Sequence, residues 1–349
     1  MKISPQIKIA IVSFISIATI FAISACKNIP ESYGNMDEIL VFADSSDWQD
    51  YKDGLYQFFS QEYLTPTPEN EYLLNWEPFE AFEKHKRKRN IMFLSRLDSK
   101  DKVSSEINGL LSEEIVNGVQ SGDYFYIPQQ NTWARDQYVV FLVAPTKDNM
   151  IQRIYDLGEL VYDDFEKNYY DRLKKEMFKH EENTDLEEYL LTHFPFTLRI
   201  QHDYKLLDES LDHRYVWLRR IYPDRDRSIT ISWFPNNDSL KINREWIVEK
   251  RNALAARIHA GDVVVEEETT MEQVRFQHWP ALRLEGTWMN PTRFIGGPFR
   301  TITFIDKKSN LIFMIDFFVQ AIGERKKIFL DQLDIMAHTF QSKSFVEGE

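Results

Sequence analysis

The sequence predicts an α+β protein, in which an N-terminal α/β-like layer is followed by an antiparallel sheet flanked by helices. Three observations lead to this class. In residues 37–185, short apolar runs alternate with amphipathic stretches, as strands and helices do in α/β layers. In residues 186–342, strand-like runs come in two groups of three, each closed by a helix, which favours antiparallel pairing. Residues 1–25 differ in composition from both regions and precede the fold.

The first 25 residues have the pattern of a cleaved lipoprotein signal peptide. Lys2 and Lys8 give a positive start, and residues 9–23 are apolar except for small Ser and Thr side chains. This core of 15 residues is shorter than the roughly 20 that a membrane-spanning helix needs. Ile23-Ser24-Ala25-Cys26 matches the bacterial lipobox, in which small residues enter the peptidase and the cysteine carries the lipid. We therefore expect lipid attachment at Cys26, with an uncleaved N-terminal anchor as the alternative.

The chain after the predicted cleavage, residues 26–349, has room for about two domains. Removing Lys2 and Lys8 changes its net charge from −13 to −15, which argues against a nucleic-acid binder. Cys26 is the single cysteine, so disulfides, thiolate metal sites and cysteine nucleophiles are excluded from the body. Lys27 rather than an acid follows it, and we expect an outer-membrane anchor with a periplasmic body.

Residues 26–36 form a predicted polar tether, and the N-terminal domain is expected over residues 37–185. Its apolar runs predict strands at 39–43, 90–97 and 138–144. Its predicted helices lie at 47–63, 104–118 and 148–180. In the last of these, apolar residues recur at intervals of three and four, which indicates one long amphipathic helix.

The C-terminal domain is expected over residues 186–342, followed by a tail at 343–349. Its first three predicted strands are 196–200, 215–221 and 228–234, and a helix at 244–259 follows them. Three more predicted strands cover 281–289, 299–305 and 311–319. The final predicted helix has one apolar face, formed by Phe329, Leu333, Met336 and Phe340.

Short motifs occur in a fixed order along the chain. They are Arg89-Asn90-Ile91, Trp133-Ala134-x-x-Gln137, Tyr215-Val216-Trp217-Leu218-Arg219-Arg220, Arg251-Asn252, Gly286-x-Trp288 and Gly296-Gly297-Pro298-Phe299. Their order over essentially the whole chain after Cys26 resembles domain-of-unknown-function family 4837, lipoproteins of Bacteroidota. The sequence departs from that pattern at Phe294-Ile295, where a methionine is expected. The resemblance implies an envelope lipoprotein and no particular activity; the second half is also loosely similar to the PsbP and Mog1-type fold.

Several patterns of charged residues have a chemical and a structural interpretation. The basic run 84–89 either binds phosphate or lipid head groups, or ends a short helix whose acids come first, as the helix dipole favours. The segment 180–185 holds one histidine and three acids, but neighbouring helical side chains diverge, which favours a solvated face over a metal site. The acids at 163–164 and 266–268 could form a carboxylate pair for glycoside hydrolysis. No cofactor and no metal site are expected.

The strand predicted at 215–221 has the most informative pattern. Alternation places Trp217 and Arg219 on one face and Arg220 on the other. A tryptophan beside a guanidinium suits sugars, peptides or carboxylates. The alternative is a structural ion pair beside a core tryptophan.

Gly296, Gly297, Pro298 and Phe299 stand where another strand is predicted to begin. The two glycines permit positive φ, and the proline restricts the turn. The segment is therefore either a tight strand entry with Phe299 as its anchor or a loop that approaches a ligand. The candidate ligand surface from sequence comprises Trp217, Arg219, Arg220, Gly296, Gly297 and Phe299.

The sequence contains no G-x-S-x-G, H-E-x-x-H, phosphate-loop or G-x-G-x-x-G motif. We therefore expect a lipid-anchored envelope protein with a non-catalytic role in binding or assembly, whose partner is an envelope protein or glycan. An envelope glycan hydrolase that uses unassigned carboxylates and a periplasmic small-ligand sensor are the alternatives.

Overall fold

A computed structural model describes residues 29–63, 65–179, 182–222, 225–237 and 240–346. Cys26 and the predicted signal peptide lie outside these residues. The described chain divides into two compact units: unit 1 holds residues 29–61 and 70–169, and unit 2 holds residues 62–69 and 170–346. The sequence predicted one boundary between the domains, at residue 185. In the structure, residues 62–69 also belong to unit 2, and the later boundary falls at residue 170, inside a helix.

The chain first forms the elements that end with the long helix. They are β1 (Glu38–Phe42), α1 (Ser45–Phe59), β2 (Glu62–Tyr63), β3 (Glu69–Asn70), β4 (Leu73–Glu77), a 3-10 turn (Phe79–Ala81), α2 (Phe82–His85), β5 (Asn90–Arg96), α3 (Lys102–Asn108), α4 (Glu113–Ser121), β6 (Tyr126–Gln130), β7 (Tyr138–Ala144) and α5 (Lys147–Met177). The helix predicted at 104–118 is two helices, because Ser112 caps α4 by accepting the backbone N–H of Ile115.

The sheet of unit 1 has the order β4-β1-β5-β7-β6 and is parallel except for β6. On one face the rings of Phe42 and Phe93 stack with centroids 5.3 Å apart. On the other face Phe59 of α1 meets Phe165 of α5 edge-on at 5.7 Å. Because both faces are covered, the central strands are apolar throughout, and this explains the continuous runs seen in the sequence.

The remaining elements belong to unit 2. They are α6 (Thr184–His193), β8 (Phe196–Thr197), β9 (Lys205–Ser210), β10 (Tyr215–Arg220), β11 (Asp226–Pro235), α7 (Arg244–Ile258), β12 (Val263–Phe276), β13 (Trp279–Asn290), β14 (Ile295–Asp306), β15 (Leu311–Gln320), α8 (Lys327–Ala337), β16 (Gln341–Ser342) and α9 (Lys343–Val346). The large sheet has the order β12-β13-β14-β15-β11-β10-β9, and every pair in it is antiparallel. The predicted α+β class with a helix-flanked antiparallel sheet is confirmed.

Helices α7 and α8 cover opposite faces of the large sheet. Arg251 of α7 pairs with Asp316 of β15, with Nε and Oδ1 2.8 Å apart, and both side chains are buried. Arg300 of β14 reaches Asp334 of α8 at 3.3 Å. Asp316 lies opposite Thr301, so these two side chains share a face of the sheet. Arg300 is the residue before Thr301 and points to the other face, because successive side chains of a strand alternate.

Residues 62–69 complete unit 2 around α8. Asp331 of this helix is fully buried and accepts hydrogen bonds from the hydroxyls of Tyr63 and Tyr170, at 3.2 and 3.1 Å. Lys327 pairs with the same carboxylate, with its Nζ 2.6 Å from Oδ2. Burying a carboxylate is costly unless it is paired and hydrogen-bonded, and these three groups meet that need.

Candidate functional site

Strand β10 presents Trp217 and Arg219 toward α7. Its antiparallel register sets Trp217 opposite Thr230 and Arg219 opposite Ser228. Arg220 lies on the other face, as alternation predicted. The structure thus brings together two of the six residues of the candidate surface, and both are partly exposed.

The indole of Trp217 is held by contacts on two sides. Its Nε1–H donates a hydrogen bond of 2.7 Å to the hydroxyl of Ser228. The ring of His259 meets the indole edge-on, with centroids 4.6 Å apart. These contacts fix the orientation of the ring while leaving part of it accessible, which is the arrangement that stacking on a ligand needs.

The guanidinium of Arg219 lies 5.7 Å from the centroid of the Trp217 ring. It forms an ion pair with Asp226, the first residue of β11. Its side chain is 28% exposed. An arginine has five N–H donors in a rigid fork, so one ion pair leaves donors for a further acceptor.

His259 backs this surface from the end of α7. It is buried, lies 3.4 Å from the hydroxyl of Thr230, and meets the ring of Phe318 at 5.0 Å. Burial, together with the nearby charges of Arg251 and Arg219, lowers the pKa of His259 to about 3. The imidazole is therefore neutral, and Arg219 supplies the positive charge next to the indole.

Arg220 serves another purpose on the opposite face. It pairs with Asp203 at 2.5 Å and lies 5.0 Å from the centroid of the Tyr222 ring. It does not share a surface with Trp217.

Gly296, Gly297 and Phe299 lie within β14 and not in a loop before it. Neither glycine has a positive φ, so the conformational reason expected from the sequence is wrong. A Cβ on Gly297 would stand 1.9 Å from the carbonyl oxygen of Val319, so close strand packing requires glycine there. The ring of Phe299 is fully buried, 4.2 Å from the guanidinium of Arg251, and it does not reach a surface.

His259, Ser228 and Asp226 are members of the site that sequence reasoning missed. The only signal for His259 is its position at the end of a predicted helix, where a dipole also favours histidine. Its contact with Trp217 depends on how α7 lies on the sheet, which no local pattern shows.

Two of the acids considered for glycoside hydrolysis, Asp164 and Glu268, accept hydrogen bonds from neighbouring hydroxyls. Asp164 of α5 accepts hydrogen bonds from the hydroxyls of Tyr126 and Tyr138. Residues 265–268 lie in a register shift of β12, where Glu268 accepts from the hydroxyl of Thr287. In the described chain, no group of three histidine, cysteine or acidic side chains could hold a metal ion. His180 and Glu181 of the considered cluster lie outside those residues.

Two cavities were located in unit 1. The larger, of about 440 Å³, lies along edge strand β4 and is lined by Tyr56, Ser60, Asn70, Leu73, Leu74 and Asn75. The smaller, of about 20 Å³, has Glu38, Lys88 and Arg89 among its lining residues. Neither lining contains a carboxylate pair, so neither has the arrangement that a glycosidase uses.

The sequence profile of a domain of unknown function (DUF4837) matches residues 183–339. The family expected from the sequence is thereby confirmed for the DUF4837 region, which contains Trp217, Arg219 and His259. A second profile, also of a domain of unknown function (DUF8532), matches residues 32–178, where the motifs at Arg89 and Trp133 lie.

Solved structures similar to the chain include two named proteins. The Ran-binding protein Mog1p of Saccharomyces cerevisiae is 11% identical, with a TM-score of 0.30; the match covers 42% of this chain and 90% of Mog1p. LpqN of Mycobacterium tuberculosis, described as involved in cell envelope biogenesis, is 12% identical, with a TM-score of 0.27; the match covers 42% of this chain and 82% of LpqN. No match was found among curated proteins. Within the described residues, no helix has both the length and the apolarity needed to cross a membrane.

Proposed function

We propose that the protein is a lipid-anchored envelope protein that binds a ligand without transforming it, through the surface formed by Trp217 and Arg219. The lipobox that ends at Cys26 supports the anchor, with the body in the periplasm below the outer membrane. The observation that carries the binding role is the partly exposed indole with a guanidinium beside it, held by Ser228 and Asp226 respectively.

This pair of side chains defines a ligand class. The flat, apolar face of a sugar ring packs on an indole, and a guanidinium binds a carboxylate through charge-assisted hydrogen bonds. His259 is uncharged next to the pair and contributes no acid or base at neutral pH. The ligand supported best is therefore a carboxylate-bearing glycan or glycopeptide of the envelope.

The test is calorimetric titration of the purified full chain with N-acetylmuramyl-L-alanyl-D-isoglutamine, which carries a sugar and a carboxylate. N,N′-diacetylchitobiose serves as the uncharged comparison. We expect Trp217→Ala to weaken binding of both probes. Arg219→Gln should weaken only the muramyl peptide, by about tenfold or more, since a hydrogen bond to a charged group is worth roughly 1.5–3 kcal/mol.

Arg275→Gln is the matched control, because Arg275 is an exposed arginine on β12, at the far side of the same sheet. Arg219→Lys keeps the charge but loses the planar fork, and we expect intermediate binding from it. Muramyl peptide binding that survives both Arg219→Gln and Trp217→Ala would contradict the proposal. The proposal would also be contradicted if the wild-type chain bound neither of the two probes.

A further inference from the structure

Several loops of unit 2 meet at one end of its large sheet. β10 ends there at Arg220, and the register pairs Asp226 at the start of β11 with Gln320 at the end of β15. β14 begins at the same end, since its Phe299 is paired with Phe318. Neighbouring strands lie about 4.8 Å apart, so the ends of β10, β11, β15 and β14 span roughly 15 Å.

These loops expose large apolar side chains to solvent. Phe294, between β13 and β14, is 88% exposed, and Ile322, after β15, is 73% exposed. No other large apolar side chain in the described residues has a greater exposed fraction than these two. Ile221, after β10, adds a third side chain at 58%. We name residues 221, 222, 225, 290–294 and 321–325 the tip surface.

The backbone holds Phe294 in an unusual conformation. Its φ is +55°, a region that bulky residues rarely occupy. The turn is built by Asn290, whose side-chain oxygen accepts the backbone N–H groups of Thr292 and Arg293, at 3.0 and 2.8 Å. Asn290 is itself buried and donates to Asp262 at 2.7 Å. The ring is thus presented outward by an ordered turn, and strain of this kind is concentrated at functional positions.

The charge of these loops differs from that of the chain. Within the tip surface, Arg225, Arg293 and Arg325 stand against the single acid Glu324, whereas acids outnumber bases 55 to 42 in the whole chain. Arg225 and Glu324 form an exposed pair at 3.0 Å. Apolar tips with arginines around them match the interface of a bilayer, where rings enter the acyl boundary and guanidinium groups reach phosphates.

We propose that the tip surface docks into the interfacial layer of an anionic lipid bilayer. The apolar side chains are exposed on three separate loops, and this arrangement suits a fluid surface better than a protein helix or strand. The acidic remainder of the chain is repelled by anionic headgroups, so contact is confined to this end of unit 2. The proposal does not depend on the ligand proposed for Trp217 and Arg219.

A single environment-sensitive fluorophore tests this contact directly. Cys26 is the only cysteine, so the full chain with Cys26→Ser can carry one label at Phe294→Cys or at Ile322→Cys. On mixing with phosphatidylethanolamine–phosphatidylglycerol vesicles, we expect the emission of both labels to shift to the blue. Replacing Arg293 with Glu in the Phe294→Cys chain should weaken vesicle binding by about tenfold, and added salt should act in the same direction.

Leu211→Cys is the matched control, because Leu211 is 63% exposed in the turn between β9 and β10, at the opposite end of the same sheet. Its label should stay in water, even where another segment of the chain tethers the protein to the vesicle. The proposal is overturned if the labels at 294 and 322 remain water-exposed, or if the label at 211 shifts equally. It is also overturned if the label at 294 responds only to membrane proteins and not to protein-free vesicles.

Discussion

His259 is a histidine that the fold keeps neutral. Its ring lies against Trp217 and Phe318, and burial lowers its pKa to about 3 from an ordinary value of 6.5. Below pH 6.5 the unfolded chain binds a proton at this position, while the folded chain does so only near pH 3. The unfolded state is therefore favoured as the pH falls. The contribution of His259 to the free energy of unfolding is complete only above its ordinary pKa of 6.5.

We expect His259→Gln to flatten the pH dependence of stability. The wild-type free energy of unfolding should lose about 1.4 kcal/mol per pH unit through this residue between roughly pH 6 and pH 4. Glutamine has no proton to gain and should remove that slope in urea unfolding measured across this range. His213→Gln, at an exposed turn position, is the control and should leave the slope unchanged. A slope that persists in His259→Gln would show that other groups cause it.

For single residues, local sequence patterns predicted the position of some site residues and not of others. The shared face of Trp217 and Arg219 follows from strand alternation alone. The role of Gly297 does not, because the atom that excludes a Cβ belongs to Val319, on another strand. Sequence reasoning therefore predicted that Trp217 and Arg219 of one strand lie together. It missed His259, whose contact with Trp217 depends on tertiary packing.

Among the elements, α8 depends on a distant residue at its first turn. Its N-cap, Lys326, makes no capping hydrogen bond from its side chain. The carboxylate of Glu69 takes that place, accepting the backbone N–H groups of Lys326 and Lys327 at 2.9 and 3.2 Å. A negative charge at a helix N-terminus also interacts favourably with the helix dipole.

We expect Glu69→Ala to lower the free energy of unfolding of unit 2 by roughly 1–2 kcal/mol, as the loss of a helix cap does. Hydrogen exchange should show faster exchange of the amides at the start of α8. Glu62→Ala changes an exposed glutamate of the same segment and should leave both measurements unaltered. Equal effects of the two substitutions would contradict the role of Glu69 as the cap of α8.

The sequence predicted the buried central strands correctly and missed the strands at the edges of the large sheet. The central strands β1, β5 and β7 are apolar along their length, and their positions were predicted to within two residues. Strands β9 and β12 were missed because they are the edges of the large sheet. Edge strands carry charged side chains that prevent further pairing, and this removes the apolar signal.

For the whole molecule, the predicted lipid anchor makes a distinct claim about the N-terminus of the mature chain. Mass spectrometry of the protein extracted from membranes should find an N-terminal Cys26 that carries lipid. Cys26→Ser should give an unprocessed chain that retains Met1. An intact Met1 in the wild-type protein, or a free thiol at Cys26, would contradict the anchor.

The hydrogen bond between Tyr63 and Asp331 joins residues 268 positions apart. During synthesis, Tyr63 therefore emerges well before its carboxylate partner. Unit 2 cannot assume its final packing until α8 has been synthesised, and such long-range closure slows folding. A chain that lacks α8 would leave the Tyr63 hydroxyl without Asp331 as its acceptor, so the segment 62–69 can take its place in unit 2 only after α8 is present.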